Sequence, residues 1–360
     1  METAKGLAKK EALQDFLAKN MKDPLLLQLL KGIVAKTIAP IRSSRSRLLK
    51  NEEYIVSSDE KAWSLDFLSY ILKERPVLTL ALFDEKDRRE IVNFVRNKVF
   101  TALLSRLHIN DLFDKDEVAL RRMYEAFSRR VGFEQEYYIL KHSGKEYRLP
   151  INHFEYPVFF HRLGLPELPQ QVLAQIRGRD VIDGGAYIGD SVLVLEELTP
   201  RAIYAFEPLK ESFVLLNKTV YINRLRNVVP LKVALGTAKG KTKITPFGSA
   251  SFRSDIFGED VGEDAEVISI DDFVIERGAQ VGLIKLDVEG SELDALLGAK
   301  ETIKECKPVL IVSVYHRGQD FFEIPKLIKE IEPQYKMRFL NLNRTHATFE
   351  RVVLAYVERH

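Results

Sequence analysis

The 360-residue sequence has almost no cysteine, since Cys306 stands alone. A single thiol cannot close a disulfide within the chain, which argues against a disulfide-stapled secreted domain and favours a reducing compartment. Residues 1–16 lack an apolar signal core, and the longest apolar runs, such as residues 309–315, are far shorter than the roughly 20 residues that span a bilayer. We therefore expect a cytoplasmic protein without a transmembrane segment.

An overall excess of one charge is also missing. Lysine and arginine total 54, aspartate and glutamate total 52, and the formal net charge is +2. Non-specific binding to nucleic acid needs a basic surface, so nucleic acid is not the expected partner. Basic residues do predominate in residues 1–50. This local excess favours a solvated basic face, with a membrane-surface or partner-binding helix as the alternative.

The length leaves room for about two domains of ~150 residues each. Residues 1–130 carry apolar residues at three- and four-residue spacings and no catalytic motif, so they are predicted to form a mainly helical N-terminal domain. Residues 131–360 are predicted to form a second domain. It begins with a hairpin over residues 137–149, and strands then alternate with helical stretches.

The alternation predicts an α/β fold with a doubly wound, Rossmann-like, mostly parallel sheet. Seven strands are expected, over residues 179–185, 202–208, 228–236, 281–290, 308–316, 335–342 and 351–357. The last two are joined by a short polar connection that has no room for a crossover helix. The last strand is therefore expected to run antiparallel.

The loop after the first of these strands carries the first binding motif. The dinucleotide spacing G-x-G-x-x-G fails here, which weighs against a nicotinamide oxidoreductase. The spacing that fits is D-x-G-x-x-x-G, formed by Asp183, Gly185 and Gly189. A carboxylate followed by a tight glycine turn suits a ligand with a cationic amino-acid end and no phosphates. Glycines also serve tight turns that bind nothing, so that interpretation stays open.

A second acidic residue, Glu207, ends the next strand. A carboxylate at this place can accept hydrogen bonds from both hydroxyls of a ribose. The alternative is that Glu207 only caps the helix after Pro208, where it would favour the helix dipole. Ala234 and Leu235 end the third strand, and they would form an apolar wall for adenine or simply pack in the core.

The fourth strand is unusually polar for the centre of a parallel sheet. It carries Lys285 and Asp287, and Glu289 follows directly. Because residues two apart share one face of a strand, Lys285 and Asp287 could be a buried ion pair. Three ionisable groups at the ligand-binding end of a sheet are better explained by a functional site.

Taken together, these motifs resemble the FkbM family of methyltransferases, which methylate hydroxyl groups of sugars and related natural products. The resemblance rests on residues 181–191, 204–208, 267–273, 283–299 and 308–316, in that order. It implies an S-adenosylmethionine cofactor held by Asp183, Gly185, Gly189 and Glu207, with the loop from Asp287 to Glu289 facing the transferred methyl group. The expected cofactor set is completed by Tyr187, Ile188, Asp190, Ser191, Pro208, Ala234 and Leu235.

Methyl transfer to a sugar hydroxyl needs help, because the hydroxyl is a weak nucleophile. Asp287, Glu289 and His316 are the candidate catalytic residues. His316 would titrate near neutral pH if unperturbed, although a strand-end histidine bound to backbone is an equal alternative. A divalent metal, Mg²⁺ first, would use Asp287 and Glu289. The metal-free version is favoured, because the sequence offers only these two oxygen ligands.

The remaining interpretations concern the acceptor, an acidic stretch and the rival functions. His153, Tyr156 and His161 either contact the acceptor, expected to be a saccharide or another small molecule, or pack on the sheet. The acidic residues 255–266 favour a solvated loop, with a mobile lid as the alternative. A nucleic-acid or protein methyltransferase is the nearest rival function, although the N/D-P-P-Y/F motif of base-amine methylation is missing after the fourth strand. A non-catalytic, cofactor-binding interaction protein is the other.

Overall fold

The computed structural model describes residues 53–104, 106–108, 112, 115–134, 136–247, 250–253 and 262–358, together with residues 24, 27, 28 and 30. The prediction of a basic helical face in residues 1–50 therefore lies almost wholly outside the described residues. Residues 255–261 of the acidic stretch also lie outside the described residues.

In chain order the strands are β1 (Glu53–Ile55), β2 (Arg106–His108), β3 (Val131–Glu134), β4 (Tyr137–His142), β5 (Lys145–Leu149), β6 (Asp180–Gly184), β7 (Ile203–Phe206), β8 (Val228–Leu231), β9 (Ala234–Leu235), β10 (Gly240–Phe247), β11 (Ala250–Arg253), β12 (Glu263–Ile268), β13 (Val281–Leu286), β14 (Val309–Ser313), β15 (Lys336–Asn341) and β16 (Arg351–Tyr356). The α-helices are α1 (Ser58–Glu74), α2 (Glu85–Leu103), α3 (Lys115–Ser128), α4 (Gln170–Ala174), α5 (Asp190–Leu195), α6 (Lys210–Ile222), α7 (Ile270–Arg277), α8 (Glu292–Leu297), α9 (Lys300–Cys306) and α10 (Gly318–Ile331). Shorter helical turns cover Leu80–Leu82, Tyr156–Phe160, Arg162–Glu167 and Glu196–Leu198.

The central sheet has the strand order β15-β16-β14-β13-β6-β7-β8. Its five strands from β14 to β8 run parallel, and β16 is antiparallel to both β14 and β15. Every residue of β6, β13 and β14 is buried, as expected for apolar strands covered on both faces. The α/β class is therefore confirmed. The order along the chain reverses between β6 and β13, and this switch point is where open α/β sheets bind ligands.

The predicted third strand is divided between two sheets. β8 ends at Leu231, while β9 pairs with β12 in a second sheet of order β11-β10-β12-β9. The expectation of one strand over residues 228–236 was wrong, because Ala234 and Leu235 make their strand pairing outside the central sheet. The second sheet was not predicted, since β10 and β12 are rich in lysine, threonine and acidic residues.

Helices α1 and α2 share one hydrophobic core with the central sheet. Phe67 of α1 and Phe94 of α2 pack against a group of aromatic rings from α10 and β15, namely Phe321, Phe322 and Phe339. The core is thus continuous across the boundary that the sequence placed at residue 130. The other face of the sheet packs on α5, α6 and the three-stranded sheet β3-β4-β5.

Buried polar contacts also join the N-terminal helices to the end of the chain. Arg338 of β15 forms a paired contact with Asp87 of α2, 2.7 Å from Nε to Oδ2. Thr348 donates a 2.6 Å hydrogen bond to Glu60 of α1. Among the described helices, none combines the length and the apolar character that a membrane crossing requires.

Candidate active site

A cavity of about 340 Å³ lies at the carboxyl ends of β6, β7, β13 and β14. Strand ends, loops and one N-terminal helix contribute its walls. The cavity reaches from Glu207 and Leu235 on one side to His316 on the other. Its size falls in the range typical of small-molecule sites, and its position is the one expected from the strand order.

The turn after β6 is fitted closely against the end of β13. Gly185 has φ +73°, and a Cβ atom built on it would lie 1.7 Å from the carbonyl oxygen of Asp287. The amide of Asp287 donates to the carbonyl of Gly184 at 3.1 Å. Only glycine combines this backbone conformation with so close an approach. The two loops that face the cavity are therefore held together at this glycine.

We expect Gly185→Ala to abolish detectable cofactor binding, because the added methyl group must push the β6 and β13 loops apart. Gly178→Ala is the matched control: its φ is +71°, but nothing lies within 4 Å of the added Cβ. The control should cost only about 1–2 kcal/mol of stability, the usual penalty for alanine in this conformation. Calorimetric titration with S-adenosylmethionine checks the prediction, and equal affinities in the two variants would contradict it.

The acidic residue of the glycine motif lies beneath the cavity instead of in its wall. Asp183 is fully buried, with Oδ1 3.1 Å from Nζ of Lys285 and Oδ2 accepting a 2.5 Å hydrogen bond from Ser191. Lys285 also donates to the carbonyl of Gly185 at 2.7 Å. Burial would lower the pKa of Lys285, but the carboxylates of Asp183 and Asp287 outweigh it and raise that pKa. The buried ion pair is thus formed by Lys285 with Asp183 of the neighbouring strand.

Glu207 is held rigidly at the end of β7. Its two carboxylate oxygens accept hydrogen bonds from the amides of Tyr187, at 3.0 Å, and Leu209, at 2.9 Å. Burial raises the pKa of Glu207 to about 7, while these two amides act in the opposite direction. The side chain lines the cavity. It therefore fixes the start of α6 and also places a carboxyl group in the cavity wall.

The other residues proposed for the cofactor divide into two groups. Ile188 is fully buried in the core, and Gly189 packs against Leu216 and Thr219 of α6, so neither lines the cavity. The remaining residues of the predicted set all line the cavity: Gly185, Tyr187, Asp190, Ser191, Pro208, Ala234 and Leu235. The motif thus contains both residues that face the cavity and residues that shape the turn behind it.

The three predicted catalytic residues come together at the ends of β13 and β14. His316 is 1% exposed, and its Nε2 lies 2.8 Å from Glu289 and 3.9 Å from Asp287. Its Nδ1 lies 2.9 Å from Glu292. Burial alone would lower the pKa of His316, but Glu289 and Glu292 raise it well above 6.5. These two carboxylates therefore favour the charged, imidazolium form of His316.

Glu292 is a site residue that the sequence analysis missed. Its carboxylate accepts hydrogen bonds from the amides of Val288, at 2.8 Å, and Gly290, at 2.9 Å, and it is fully buried. It thus closes the turn that presents Glu289, whose φ is +53°. The available signal was an acidic residue in the first turn of a helix, four positions after Val288.

The cavity is also lined by the acidic residues Glu155, Asp287 and Glu350. Tyr315 donates toward Asp287 at 3.3 Å and toward Glu350 at 3.4 Å. Burial, followed by the nearby charges of Glu155 and Asp287, raises the pKa of Glu350 well above 4.5. His153 also lines the cavity, 3.2 Å from Glu155. Neither Glu350 nor Glu155 was predicted as a site residue, because both lie in irregular segments.

His161 and Tyr156 have a structural setting away from the cavity lining. His161 Nε2 lies 2.5 Å from the hydroxyl of Tyr124, and the ring of Tyr124 stacks on Tyr156 with centroids 4.1 Å apart. Burial, with the charge of Arg344, lowers the pKa of His161 to about 4. His161 and Tyr156 therefore pack against other side chains and do not line the cavity.

Helix α1 supplies part of the cavity wall. Asp59 and Trp63 line the cavity, and the indole ring meets the ring of His316 edge-on, with centroids 5.5 Å apart. Trp63 is the only tryptophan in the sequence. Sequence reasoning had no signal for this contact, because an aromatic residue on an amphipathic helix looks like any core residue.

Among the described residues, two groups of side chains could hold a metal ion. Asp287, Glu292 and His316 have potential ligand atoms within 4.8 Å of one another, and so do His153, Glu155 and Asp190. The first group contains Glu292 where the sequence suggested Glu289. Mg²⁺ prefers oxygen ligands alone, and a mixed set with imidazole suits a transition metal better.

The chain is similar to several known proteins. Residues 183–339 match the family model of the methyltransferase FkbM domain. The hexuronic acid methyltransferase AglP of Haloferax volcanii is 26% identical over 184 residues, which cover 49% of this chain and 73% of AglP. A methyltransferase FkbM of Methylobacillus flagellatus is 19% identical, with 78% of this chain and 73% of that chain covered and a TM-score of 0.40. TYW2 of M. jannaschii, solved with AdoMet, is 14% identical, with 62% and 87% covered and a TM-score of 0.32.

The switch-point cavity and the matched domain define an S-adenosylmethionine-dependent methyltransferase. Residues 183–339 of the chain match the methyltransferase FkbM domain, which is the family that its sequence resembles.

Proposed function

We propose that the enzyme transfers the methyl group of S-adenosylmethionine to a hydroxyl of a sugar, a glycolipid or a related small molecule. The proposal is based on one observation: Glu207, at the end of β7, lines the same cavity as Asp287 and Glu289, which lie beyond β13. Glu207 could accept hydrogen bonds from a ribose, and Asp287 and Glu289 could contact the reacting hydroxyl. The similarity to a hexuronic acid methyltransferase supports a sugar-type acceptor.

The cofactor would lie along the β6–β7 side of the cavity. Glu207 would accept hydrogen bonds from the ribose hydroxyls, and Ala234 and Leu235 would cover the adenine. Asp190 is a buried carboxylate in the cavity wall, and burial raises its pKa to about 6. A carboxylate so placed would ionise to bind the ammonium group of the methionine end.

Methyl transfer is a displacement at carbon, in which the acceptor oxygen attacks the methyl group in line with the carbon–sulfur bond. That bond breaks, the sulfonium becomes a thioether, and the hydroxyl proton must leave. Asp287 is the base we propose, because its carboxylate lines the cavity and is partly exposed to it. His316 would instead hold Glu289 in place as a cation. We propose this role in place of the base expected from the sequence, because Glu289 and Glu292 raise the pKa of His316 and so favour its charged form.

The charge of the cavity favours a small acceptor over a nucleic acid. Its wall carries Glu155, Asp287, Glu289 and Glu350, and its only lysine, among the described lining residues, is Lys285, which is paired with Asp183. No arginine is among those lining residues. A polyphosphate backbone needs cations along its path. We therefore propose that nucleic acid is not a substrate.

Transfer of a labelled methyl group to a panel of neutral sugars, uronic acids, glycolipids, RNA and protein tests this proposal. We expect label in at least one sugar or glycolipid and none in RNA or protein. Label found in RNA or protein alone would contradict it. Tight binding of the cofactor with no transfer to any acceptor would favour a non-catalytic, cofactor-binding role.

Glu207→Gln is expected to weaken binding of S-adenosylmethionine by about 10–100-fold, because charge-assisted hydrogen bonds of about 1.5–3 kcal/mol are lost. The control is Glu211→Gln, an exposed residue on the first turn of α6. Titration calorimetry at equal protein concentration measures both variants. Unchanged affinity in Glu207→Gln, with the fold intact, would remove Glu207 from the cofactor site.

Metal dependence separates the two versions of the catalytic site. We expect EDTA to leave the rate unchanged, because His316 already contacts Glu289 and Glu292 through both ring nitrogens. The measurement is the rate after dialysis against EDTA, with and without added Mg²⁺, Mn²⁺ or Zn²⁺. Loss of activity on chelation and its return with one metal would instead assign Asp287, Glu292 and His316 as ligands.

A further inference from the structure

Lys98 of α2 is a buried lysine that the proposed reaction does not use. It is fully buried, and its ammonium group donates a 2.6 Å hydrogen bond to the carbonyl oxygen of Tyr315. Tyr315 immediately precedes His316 and lines the cavity. A side chain from the N-terminal helices therefore reaches the backbone of the catalytic segment.

Burying an ammonium group costs free energy unless the group is paired and hydrogen-bonded. No carboxylate oxygen of the described residues lies within 4.0 Å of Lys98 Nζ, although the charges of Glu60 and Asp66 on α1 act on it. Arg351 of β16 opposes them. Burial lowers the pKa of Lys98 to about 7. A tight core alone would be served better by an apolar side chain here.

The carbonyl of Tyr315 needs a donor, because it lies beyond the hydrogen-bonded part of β14. The pairing of β14 with β16 ends at Ser313, followed by a bond from Val314 to Arg351. Within the described part of the chain, no backbone amide donates to the Tyr315 carbonyl. Buried carbonyl groups are nearly always hydrogen-bonded, and Lys98 fulfils that need.

Two residues of α1 hold the same segment. Trp63 packs on the ring of His316, and Asp66 accepts a 2.9 Å hydrogen bond from the amide of Gly318. Helices α1 and α2 thus fix residues 315–318 at three points: the carbonyl of Tyr315, the ring of His316 and the amide of Gly318. All three supports lie outside the residues that match the family model.

We propose that Lys98 is a positioning residue for methyl transfer, and that its hydrogen bond to the Tyr315 carbonyl fixes His316 between Glu289 and Glu292. The proposal rests on the proposed function, in which His316 keeps Glu289 in place. If the hydrogen bond is lost, the Tyr315 carbonyl turns toward another donor and carries His316 with it. A displacement of about 1 Å in a catalytic group is enough to cost about 10²-fold in rate.

Lys98→Met is the decisive variant, because methionine has a similar length but no donor, and an apolar replacement of a buried charge is often neutral for folding. We expect the turnover rate to fall by about 10–100-fold, with affinity for S-adenosylmethionine kept within about 3-fold. Thr101→Val is the matched control. Thr101 lies one turn further along α2 and is equally buried. Its hydroxyl contacts Ser64 and donates to the backbone carbonyls of Asn97 and Lys98, and none of these contacts involves the catalytic segment.

Two more measurements separate positioning from a purely structural role. Nitrogen-15 NMR of the histidines, with His316 assigned by comparison with His316→Gln, should show a changed titration of His316 in Lys98→Met and an unchanged one in Thr101→Val. Lys98→Gln keeps a donor and should recover most of the lost rate. If Lys98→Met does not fold, Lys98→Leu, which also lacks a donor, takes its place in both measurements.

Equal turnover in Lys98→Met and Thr101→Val, or an unchanged His316 titration in Lys98→Met, would overturn the proposal. The NMR experiment needs no acceptor. It therefore still decides the position of His316 if no acceptor is found and the proposed function itself fails.

Discussion

Replacement of His316 by glutamine is expected to lower the turnover rate by about 10²-fold, because Glu289 is no longer held in place, with cofactor affinity kept. The imidazolium lies between Glu289 and Glu292, 2.8 and 2.9 Å away. Its removal leaves two buried carboxylates facing each other without a cation, so Glu289 must move away or take up a proton. Steady-state kinetics measure the effect. His142→Gln, in the β4–β5 hairpin and not among the cavity-lining residues, is the control.

The pH dependence of the wild-type enzyme follows from the same contacts. Because the carboxylates raise the pKa of His316 well above 6.5, the ring stays charged through neutral pH and loses its proton only on the alkaline side. Trp63, whose ring meets His316, reports this directly, because an imidazolium quenches indole fluorescence. We expect no fluorescence step between pH 6 and 7. A step near the usual histidine pKa of ~6.5, with activity falling below it, would restore His316 as the base.

A chain that starts at residue 131 is expected to be insoluble or loosely folded and to lack cofactor binding. Its loss of α1 and α2 would uncover a continuous apolar surface on α10 and β15, including Phe321 and Phe339. It would also remove the partners of half-buried Arg338 and of the 315–318 segment. Circular dichroism, thermal unfolding and cofactor titration of the purified fragment measure the outcome. The sequence alone predicted two domains divided at residue 130. Because α1 and α2 share one hydrophobic core with the central sheet, residues 131–360 are not expected to fold without them.

A point variant gives the same test without a truncation. Phe94→Ala should cost about 3–5 kcal/mol of unfolding free energy, because the ring is fully buried against Phe67 and Phe321. Leu103→Ala, on an exposed position of the same helix, should cost far less. A soluble fragment of residues 131–360 with cofactor affinity within a fewfold of the full chain would show that the N-terminal helices are dispensable.

The parts of the fold and site that the sequence could predict are those coded locally. The alternation of apolar strands and helices is a periodic pattern in the sequence, and it predicts β6, β7, β13 and β14 without any tertiary contact. Glycines with required left-handed conformations mark turns, which is why the loop at Gly185 stood out. Acidic residues at strand ends, such as Glu207 and Asp287, stood out because parallel central strands are otherwise apolar.

The rest depends on contacts between distant parts of the chain. Trp63 meets His316 and Lys98 meets Tyr315 across more than two hundred residues, and no spacing within the sequence encodes such contacts. The division of the third strand depends on β12, which offers Ala234 and Leu235 a pairing outside the central sheet. The protonation of His316 likewise depends on Glu292, whose role emerges only when the turn after β13 closes.

The most direct test of the central claim is the identity of the atom that receives the methyl group. S-adenosylmethionine carrying a carbon-13 methyl group is incubated with the enzyme and the best acceptor of the panel, and the product is examined by NMR. We predict that the labelled carbon is bonded to a hydroxyl oxygen of the sugar, forming a base-stable methyl ether. A labelled carbon on nitrogen, or no product from an enzyme that binds the cofactor, would contradict the account.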